Sequence, residues 1–407
     1  MPGPVRKFFA LAMAAIFMGL CLLPGVWLLG FDGTTQSLTE NRELAGLPER
    51  PSSWQQTQEW PSQFDSFVAD HFGGREELVR AYNLLHIKAG VSPIERALVG
   101  REGWLYLEQT YLGEANRGAL PMDEAQMDAL IDSFEQRRRY LEAQGRAFIV
   151  MPAPDKNSVF PEYLPRSLKK IGPSRFMQFL DAARAADIPM VDVLGALETA
   201  KNAGEAIYFK TDSHWNCRGA WFAYQELMRT LRENGYAGGT VLQESDMEFI
   251  SPSPGYRTDI VNNLLNLYGL VEEPFSYLCR VRDAPEITAM NPADGTPLDY
   301  AYWPPPGREH RVYRRTQPRD HSRVLVYRDS YANAMLRFLV HSFDEVIYAA
   351  PAAHLGFDPE DVKKYDPDLV IYEFVERALF YPADNRLLMA ESADGEGAGT
   401  NSRSPRN

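Results

Sequence analysis

The chain is poor in residues that hold metal ions. Its 407 residues include 3 cysteines and 7 histidines, and no second Cys/His cluster accompanies His214 and Cys217. Structural zinc sites need four such ligands at short spacings, so we expect no metal site. Cys21 lies in an apolar run, which leaves Cys217 and Cys279 for the rest of the chain. In an exported protein these two either form a disulfide or remain as buried free thiols.

Basic residues are outnumbered by acidic ones, 42 to 55. The formal net charge is −13 at pH 7, whereas a protein that binds nucleic acid normally shows a basic face, so we expect no nucleic-acid partner. The sequence has no Gly-rich loop of the kind that cradles phosphate groups, and we predict no cofactor. The run of Arg311, Arg314, Arg315 and Arg319 is either a solvated loop or a patch for an anionic glycan.

Long hydrophobic runs are absent beyond the N-terminus. There, Arg6 and Lys7 precede an uncharged apolar run over residues 8–29. A helix over this run, rising about 1.5 Å per residue, would span a hydrocarbon core of about 30 Å. Positive charge before a span keeps the N-terminus cytoplasmic. We predict that residues 1–30 are a cytoplasmic N-terminus and transmembrane signal-anchor, with a cleaved signal peptide as the alternative.

The remainder is predicted to form one large domain. A polar linker over residues 31–55 leads into a domain over residues 56–385, and the Gly/Ser/Asn-rich residues 386–407 are expected to be a disordered tail. The domain begins with two helices within residues 60–88, separated by the breaker pair Gly73 and Gly74.

Helical and strand patterns alternate along the domain. Strands are predicted at residues 148–151, 190–193, 324–327, 345–348 and 369–374, and helices at 122–144, 175–186, 194–201, 218–233, 331–341 and 359–364. This alternation predicts an α/β fold, a doubly wound parallel sheet with flanking helices. Ligands bind such sheets at the carboxyl ends of the strands, where loops carrying Lys156, His214 and Ser330 would share one rim.

The short polar loop over residues 211–215, Thr-Asp-Ser-His-Trp, suggests the chemistry. In an extended segment, residues two apart project to the same side, so Asp212 and His214 would point together. A carboxylate that orients an imidazole is the base half of a nucleophile triad. The candidate nucleophile is Ser330, where a predicted strand ends and a helix begins. The alternatives are a surface Asp-His pair and a serine that caps the helix.

These features together resemble a known group of proteins. The matching pieces are residues 40–42, 64–75, 100–106, 154–156, 212–215, 329–330 and 369–377. The chain resembles the SGNH-hydrolase-like glycan O-acetyltransferases of the AlgJ/AlgX (alginate O-acetyltransferase) family. The order Asp, His, then Ser is the order of this group, whereas ordinary SGNH esterases place Ser first. The resemblance implies an SGNH-hydrolase-like fold and assigns Ser330, His214 and Asp212 as nucleophile, base and orienting acid.

The resemblance also implies a function and a location. It implies transfer of acetyl groups to an exported, alginate-like exopolysaccharide through an acetyl-enzyme. The domain would lie in the periplasm, anchored to the inner membrane beside a membrane-bound O-acyltransferase that supplies acetyl. The backbone N–H of Ser330 or of Tyr331, at the helix start, is a candidate oxyanion donor. Asn333, Trp215 and Lys156 are the other candidate oxyanion or substrate-binding residues. Trp215, Trp104 and Tyr106 either stack on sugar rings or pack in the core.

Two other functions remain open. An exported carbohydrate acetylesterase would use the same triad to remove acetyl groups. A non-catalytic polysaccharide-binding subunit of an export complex is the second alternative. Its support is Arg328, which stands where the family usually has glycine or another small residue.

Overall fold

The computed structural model describes residues 4–28, 35–37, 42–72, 74–109, 112–251, 258–298, 310–349 and 355–381. The chain divides into two compact units, one of Met1–Leu98 and Arg257–Glu272, the other of Val99–Tyr256 and Glu273–Asn407. The predicted linker lies partly outside the described residues, as does Gly73, and the predicted tail over 386–407 lies wholly outside them. The predicted domain boundaries therefore stay a prediction.

The described residues form the following elements. The α-helices are α1 (Pro4–Leu28), α2 (Trp54–Asp70), α3 (Arg75–Lys88), α4 (Leu112–Asn116), α5 (Glu124–Glu142), α6 (Lys156–Val159), α7 (Arg175–Ala185), α8 (Val193–Asn202), α9 (Cys217–Glu233), α10 (Leu336–Ser342) and α11 (Pro359–Tyr365). The strands are β1 (Gln36–Ser37), β2 (Arg42–Glu43), β3 (Ala97–Val99), β4 (Leu105–Leu107), β5 (Ala147–Ala153), β6 (Met247–Ile250), β7 (Leu278–Val281), β8 (Ile287–Met290), β9 (Pro297–Leu298), β10 (Arg311–Arg315), β11 (Arg323–Tyr327), β12 (Glu345–Ala349) and β13 (Leu369–Val375).

In the first unit, α1 covers the run predicted to be a membrane anchor. Across the described ranges, no helix combines the length and apolar character that crossing a membrane requires, so the predicted anchor is not confirmed. The two helices predicted within residues 60–88 are present as α2 and α3. Asn83 of α3 donates a hydrogen bond to the Leu265 carbonyl, which ties α3 to the end of a π-helix at Asp259–Leu264.

The second unit is built on a mixed sheet with the strand order β5-β13-β11-β12-β10-β8-β9. Strands β5, β13, β11 and β12 are parallel, whereas β10, β8 and β9 pair antiparallel. The prediction of a parallel sheet is therefore right for one half and wrong for the other. The antiparallel strands come from the irregular part of the sequence, where no helix–strand alternation marked them.

Both faces of the parallel strands are buried, as a doubly wound sheet requires. On β13, Tyr372 and Phe374 pack into a core that includes Phe134 of α5. Ile371, the residue before Tyr372, points to the opposite face and is 1% exposed, so that face is buried too. On the opposite face, Tyr348 of β12 donates a hydrogen bond to the Ala332 carbonyl. The sheet is thus enclosed from both sides.

Two predicted elements differ from the structure. Residues 190–193 make only a single bridge, from Met190 to Val150. The chain turns there into α8 because Asp192 caps that helix by accepting the Gly195 N–H. The predicted helix over 331–341 is a 3-10 helix at Tyr331–Ala334 followed by α10.

The two remaining cysteines are joined. Cys217, at the start of α9, forms a disulfide with Cys279 in β7. Of the two alternatives that the sequence allowed, the bridge is therefore the one that the structure contains. Disulfides of this kind persist in oxidising compartments.

Candidate active site

The carboxyl ends of three neighbouring parallel strands carry the candidate site. The polar residues that follow these strands are Asp155 and Lys156 after β5, Asp329 and Ser330 after β11, and Glu376 and Arg377 after β13. Because β13 lies between β5 and β11, all of them meet at one edge of the sheet. The loop with Asp212 and His214 joins them there.

His214 links Ser330 to Asp212. Its Nε2 lies 2.7 Å from Ser330 Oγ, across 116 residues of sequence, and its Nδ1 lies 2.7 Å from Asp212 Oδ1. Asp212 is only 5% exposed, whereas Ser330 is exposed to solvent. The structure therefore brings the three predicted residues together in the order Ser330, His214, Asp212, as a catalytic triad would require, with the hydroxyl at the open end.

The structure does not use Ser330 as a helix cap. Asp329 caps the helix instead, since its Oδ1 accepts the Tyr331 N–H at 2.8 Å. Its Oδ2 accepts the Val375 N–H of β13 at 2.6 Å. The Ser330 side chain makes no capping bond. Its hydroxyl is therefore committed to His214 and not to the backbone.

The loop that carries His214 ends in a tight helix start. Asn216 caps α9 by accepting the Arg218 and Gly219 N–H groups. Its side-chain nitrogen donates to the Ala206 carbonyl at 2.7 Å. Gly219 is required here, because a Cβ at this position would lie 2.1 Å from the Ile207 carbonyl oxygen. Backbone approaches of this kind fix the path of the loop and so the direction of the His214 ring.

Lys156 supports this loop and does not face substrate. Its side chain is buried, and its Nζ donates to the carbonyls of Phe209 at 3.0 Å, Lys210 at 3.2 Å and Asp212 at 2.6 Å. An ammonium group has three donors, and these carbonyls use all of them. The prediction that Lys156 contacts substrate is therefore corrected to a positioning role.

Trp215 and Tyr331 hold the two loops together. The Trp215 Nε1–H donates to the Tyr331 carbonyl at 2.9 Å, and the Tyr331 hydroxyl donates to the Ser213 carbonyl at 2.8 Å. Trp215 is 1% exposed, so the prediction that it stacks on sugar does not fit. Trp104 and Tyr106 are likewise buried, and core packing is the role that the structure gives all three aromatic residues.

The two predicted oxyanion donors, the Tyr331 N–H and Asn333, have different hydrogen-bond partners in the structure. The Tyr331 N–H is occupied by Asp329, which corrects the prediction that it serves an oxyanion. Among the described residues, the Ser330 N–H has no acceptor. Asn333 is partly exposed, and its Oδ1 accepts a hydrogen bond from Arg328 Nη1 at 3.0 Å. Two donors therefore remain near the nucleophile, one from the backbone and one from a side chain.

Beneath the triad lies a group that the sequence did not single out, here called the inner charge layer: Asp155, Glu373, Glu376 and Arg377. Arg377 forms an ion pair with Asp155 Oδ1 and also donates its N–H to Oδ2 at 3.1 Å. Glu376 accepts the Asp155 N–H at 2.9 Å, and Glu373 accepts the Asp329 N–H at 2.9 Å. The polar residues within the buried β13 run were the available signal.

Burial sets the protonation of this layer. Burial, followed by the charge of Asp155, raises the pKa of Glu376 to about 8. Burial also raises the pKa of Glu373 well above its usual range, with Asp329 adding to the shift. Asp155 and Tyr331 raise the pKa of Arg377 against the effect of its own burial, so that guanidinium stays charged. The layer thus combines the Arg377–Asp155 ion pair with two carboxyl groups, those of Glu373 and Glu376, that favour their neutral form.

Three of the four arginines of the predicted basic patch are bonded to other residues of the protein. Arg314 pairs with Glu345 at 2.8 Å. Arg315 and Arg319 both donate to the His341 carbonyl, at 3.2 and 3.0 Å. Arg311, Arg314 and Arg315 lie in strand β10, so this part of the run is not the solvated loop that was one of the two alternatives. The glycan patch stays a prediction.

Comparison with known proteins shows which family the chain is similar to. Residues 97–272 match the family model described as "SGNH hydrolase-like domain, acetyltransferase AlgX". The chain is 27% identical over 217 residues to the probable alginate O-acetylase AlgJ of Pseudomonas syringae, covering 52% of this chain and 50% of the relative. Over these residues the chain is similar to the AlgJ/AlgX family. It spans about half the length of that AlgJ relative.

Solved structures add the fold. PatB1 of Bacillus cereus superposes with a TM-score of 0.53 at 17% identity, over 70% of this chain and 96% of PatB1. A DHHW family protein of Eubacterium siraeum gives a TM-score of 0.50 at 16% identity, over 71% of this chain and 96% of that protein. These likenesses support the mixed α/β fold, and the family model supports the SGNH-like domain that the resemblance predicted.

The AlgJ/AlgX family model covers one side of the site. Its matched residues include Asp212, His214 and Lys156, whereas Ser330 and the inner charge layer residues of β13 lie beyond residue 272. Assignment of the nucleophile therefore depends on geometry, namely the 2.7 Å separation of Ser330 Oγ from His214 Nε2.

Proposed function

We propose that this protein transfers acetyl groups to hydroxyl groups of an exported polysaccharide through an acetyl-Ser330 intermediate. The observation that carries the proposal is the hydrogen-bonded series of Ser330, His214 and Asp212, with the serine hydroxyl open to solvent. The AlgJ relatives, named as probable alginate O-acetylases, support an alginate-like exopolysaccharide as the acceptor class.

In the first half-reaction, Ser330 Oγ attacks the carbonyl carbon of an acetyl donor while His214 Nε2 takes the hydroxyl proton. Asp212 holds the imidazole in the required tautomer and stabilises the imidazolium. When the tetrahedral intermediate collapses, the bond from the carbonyl carbon to the donor's leaving atom breaks. The imidazolium returns its proton to that leaving group, and acetyl-Ser330 remains.

In the second half-reaction, a sugar hydroxyl attacks acetyl-Ser330 and gives its proton to His214. The ester bond to Ser330 then breaks, and the serine recovers its proton from the imidazolium. Transfer prevails over hydrolysis only where the sugar fills the site and excludes water. The same two steps with water as acceptor would make the protein an esterase, so the acceptor decides the reaction.

We further propose that the domain works in the periplasm, held at the inner membrane by residues 1–30. The Cys217–Cys279 disulfide supports an oxidising compartment. A membrane-bound O-acyltransferase is the proposed acetyl supplier, because the chain offers no Gly-rich loop for a phosphate-bearing acetyl carrier.

The test is to follow the fate of the acetyl group. The purified full-length chain is incubated with p-nitrophenyl acetate and an acetyl-free alginate oligosaccharide, and products are analysed by mass spectrometry. We expect the oligosaccharide to gain acetyl groups, and a quenched sample to carry acetyl on Ser330. If only free acetate is released, the protein is an esterase and the proposal of acetyl transfer is wrong.

A second measurement tests the non-catalytic alternative. We expect a serine-directed sulfonyl fluoride to label Ser330, and His214→Ala to lose that label while remaining folded. If neither the sulfonyl group nor acetyl attaches to Ser330, the protein is not an acyl-enzyme catalyst and the proposal is wrong.

A further inference from the structure

The surroundings of Arg328 carry an inference about the oxyanion. Arg328 lies two residues before the nucleophile and is only 6% exposed. Its Nη1 donates to Asn333 Oδ1 at 3.0 Å, and its guanidinium lies 5.6 Å from the centre of the Tyr348 ring. Among the described residues, its Nε and Nη2 have no hydrogen-bond acceptor. A buried cation with one acceptor costs free energy, which an apolar side chain here would avoid.

Asn333 stands beside the nucleophile. Ser330 has φ −68° and ψ −21°, and it leads directly into the 3-10 helix Tyr331–Ala334. In a 3-10 helix, residues three apart lie on the same face, one above the other. The Asn333 N–H approaches the Ser330 carbonyl at 3.3 Å, as this turn requires. The carboxamide of Asn333 is therefore on the face that presents the Ser330 hydroxyl.

The guanidinium decides which end of the amide faces the site. Arginine carries only donors, so the amide atom that meets Arg328 must be the oxygen. The Nδ2 end of Asn333 is then turned away from Arg328. Among the described residues Nδ2 has no acceptor and is not enclosed. Two hydrogen-bond donors, Nδ2 and the Ser330 N–H, are thus unused next to the nucleophile.

We propose that Arg328 is a positioning residue that fixes the Asn333 carboxamide, so that Asn333 Nδ2 donates to the oxyanion formed when Ser330 attacks an acetyl carbonyl. This rests on the proposed acyl transfer and names its second oxyanion donor beside the Ser330 N–H. A fixed donor aimed at developing charge stabilises the transition state without reorganisation. Arg328, which first counted against activity, then becomes a requirement for it.

The variants separate this role from packing. Asn333→Ala should slow formation of acetyl-Ser330 by about 10²- to 10³-fold with little change in KM, as loss of one oxyanion donor does. Arg328→Ala should slow it by about 10²-fold, because the amide can then rotate. Since Arg328 acts through Asn333, Arg328→Ala combined with Asn333→Ala should be no slower than Asn333→Ala alone.

Two conservative variants cover the case in which Arg328→Ala fails to fold. Arg328→Lys keeps a donor for the amide oxygen and should recover part of the rate. Asn333→Asp offers Arg328 a carboxylate but has no donor for the oxyanion. Its melting temperature should therefore equal or exceed that of the wild type, while its acetylation rate falls as far as that of Asn333→Ala. A purely structural pair would keep its activity in Asn333→Asp.

The measurement is rapid mixing of the full-length chain with p-nitrophenyl acetate, with acetyl-Ser330 counted in quenched samples. Arg184→Ala and Asn202→Ala, on exposed helix surfaces, are the matched controls. A wild-type rate in Arg328→Ala, or losses that multiply in the double variant, would overturn the inference and leave the proposed function standing. A wild type that never forms acetyl-Ser330 would overturn both.

Discussion

Two groups of polar side chains meet at the same strand ends and differ in their access to water. The triad opens to solvent at Ser330. The three carboxyl groups of the inner charge layer, Asp155, Glu373 and Glu376, are 0–5% exposed. The open group can exchange protons and substrates, whereas the enclosed group can hold backbone in place because its interactions are not screened by water. We infer that the outer group performs the chemistry and the inner group fixes its geometry.

The largest effect on acetyl transfer should come from removing the Ser330 hydroxyl. Ser330→Ala should lower acetyl transfer by about 10⁴-fold or more, since a triad without its nucleophile retains only binding and oxyanion effects. The free energy of unfolding should not fall, because the Ser330 side chain is exposed and caps no helix. Transfer is measured with the ester donor, and unfolding with urea.

The control for this change is Ser167→Ala, which alters an exposed serine far along the chain from the triad. It should keep full transfer. If Ser330→Ala loses stability in proportion to activity, the outer group also holds the fold together, and the division between the two groups fails.

The next largest effect should appear in the inner charge layer and in stability. Asp155→Asn removes the counter-charge of Arg377, whose side chain is 13% exposed. An uncompensated buried charge costs about 3–5 kcal/mol, so the free energy of unfolding in urea should fall by that amount.

Asp181→Asn is the matched control for Asp155→Asn. It breaks an exposed pair with Arg184, in which the side chains are 49% and 70% exposed, and should cost less than about 1 kcal/mol. Equal losses in the two variants would contradict the interpretation that the inner layer acts through its shielding from water.

A smaller effect should come from Tyr331, which helps to hold together the loops that carry Ser330 and His214. Tyr331→Phe removes the hydroxyl that donates to the Ser213 carbonyl. A hydrogen bond of this kind contributes about 0.5–1.5 kcal/mol to stability. The loops that carry Ser330 and His214 should also shift, lowering transfer by up to about 10²-fold.

Tyr224→Phe gives the matched comparison. Tyr224 is also a buried tyrosine whose hydroxyl is bonded, to Ser342 Oγ at 2.7 Å, but it lies in α9 away from the strand ends. It should lose similar stability and keep its transfer rate. A normal rate in Tyr331→Phe would show that the two loops keep their geometry without this bond.

The same contrast explains what the sequence could predict. The triad was predictable because Asp212 and His214 are neighbours in sequence and because parallel strands put their loops on one rim. The parallel strands were predictable as apolar runs, such as Leu369–Val375, which is buried throughout. The antiparallel half was missed, because β8, β9 and β10 are short and partly exposed and carry no long apolar pattern.

The pairing of residues within the inner charge layer could not be recognised from the sequence. Asp155 and Arg377 are 222 residues apart, and a charge at a strand end usually faces water. Their pairing follows from the adjacency of β5 and β13, which is a property of strand order. Lys156 was placed at the rim correctly but assigned to substrate, because the sequence does not show which carbonyl groups surround an ammonium.

The last prediction concerns pH and belongs to Glu376. Its pKa is raised to about 8 by burial and then by Asp155, so the folded protein keeps a proton that the unfolded chain releases. The stabilisation is complete below the unfolded pKa of 4.5 and is lost as pH rises through about 8. Between about pH 5 and 8, wild-type unfolding free energy should therefore fall by about 1 kcal/mol per pH unit relative to Glu376→Gln. Glu198→Gln, on an exposed part of α8, should instead follow the wild type. Parallel curves for the wild type and Glu376→Gln would mean that Glu376 is ionised in the folded state, and that the inner layer is no better shielded from water than the triad.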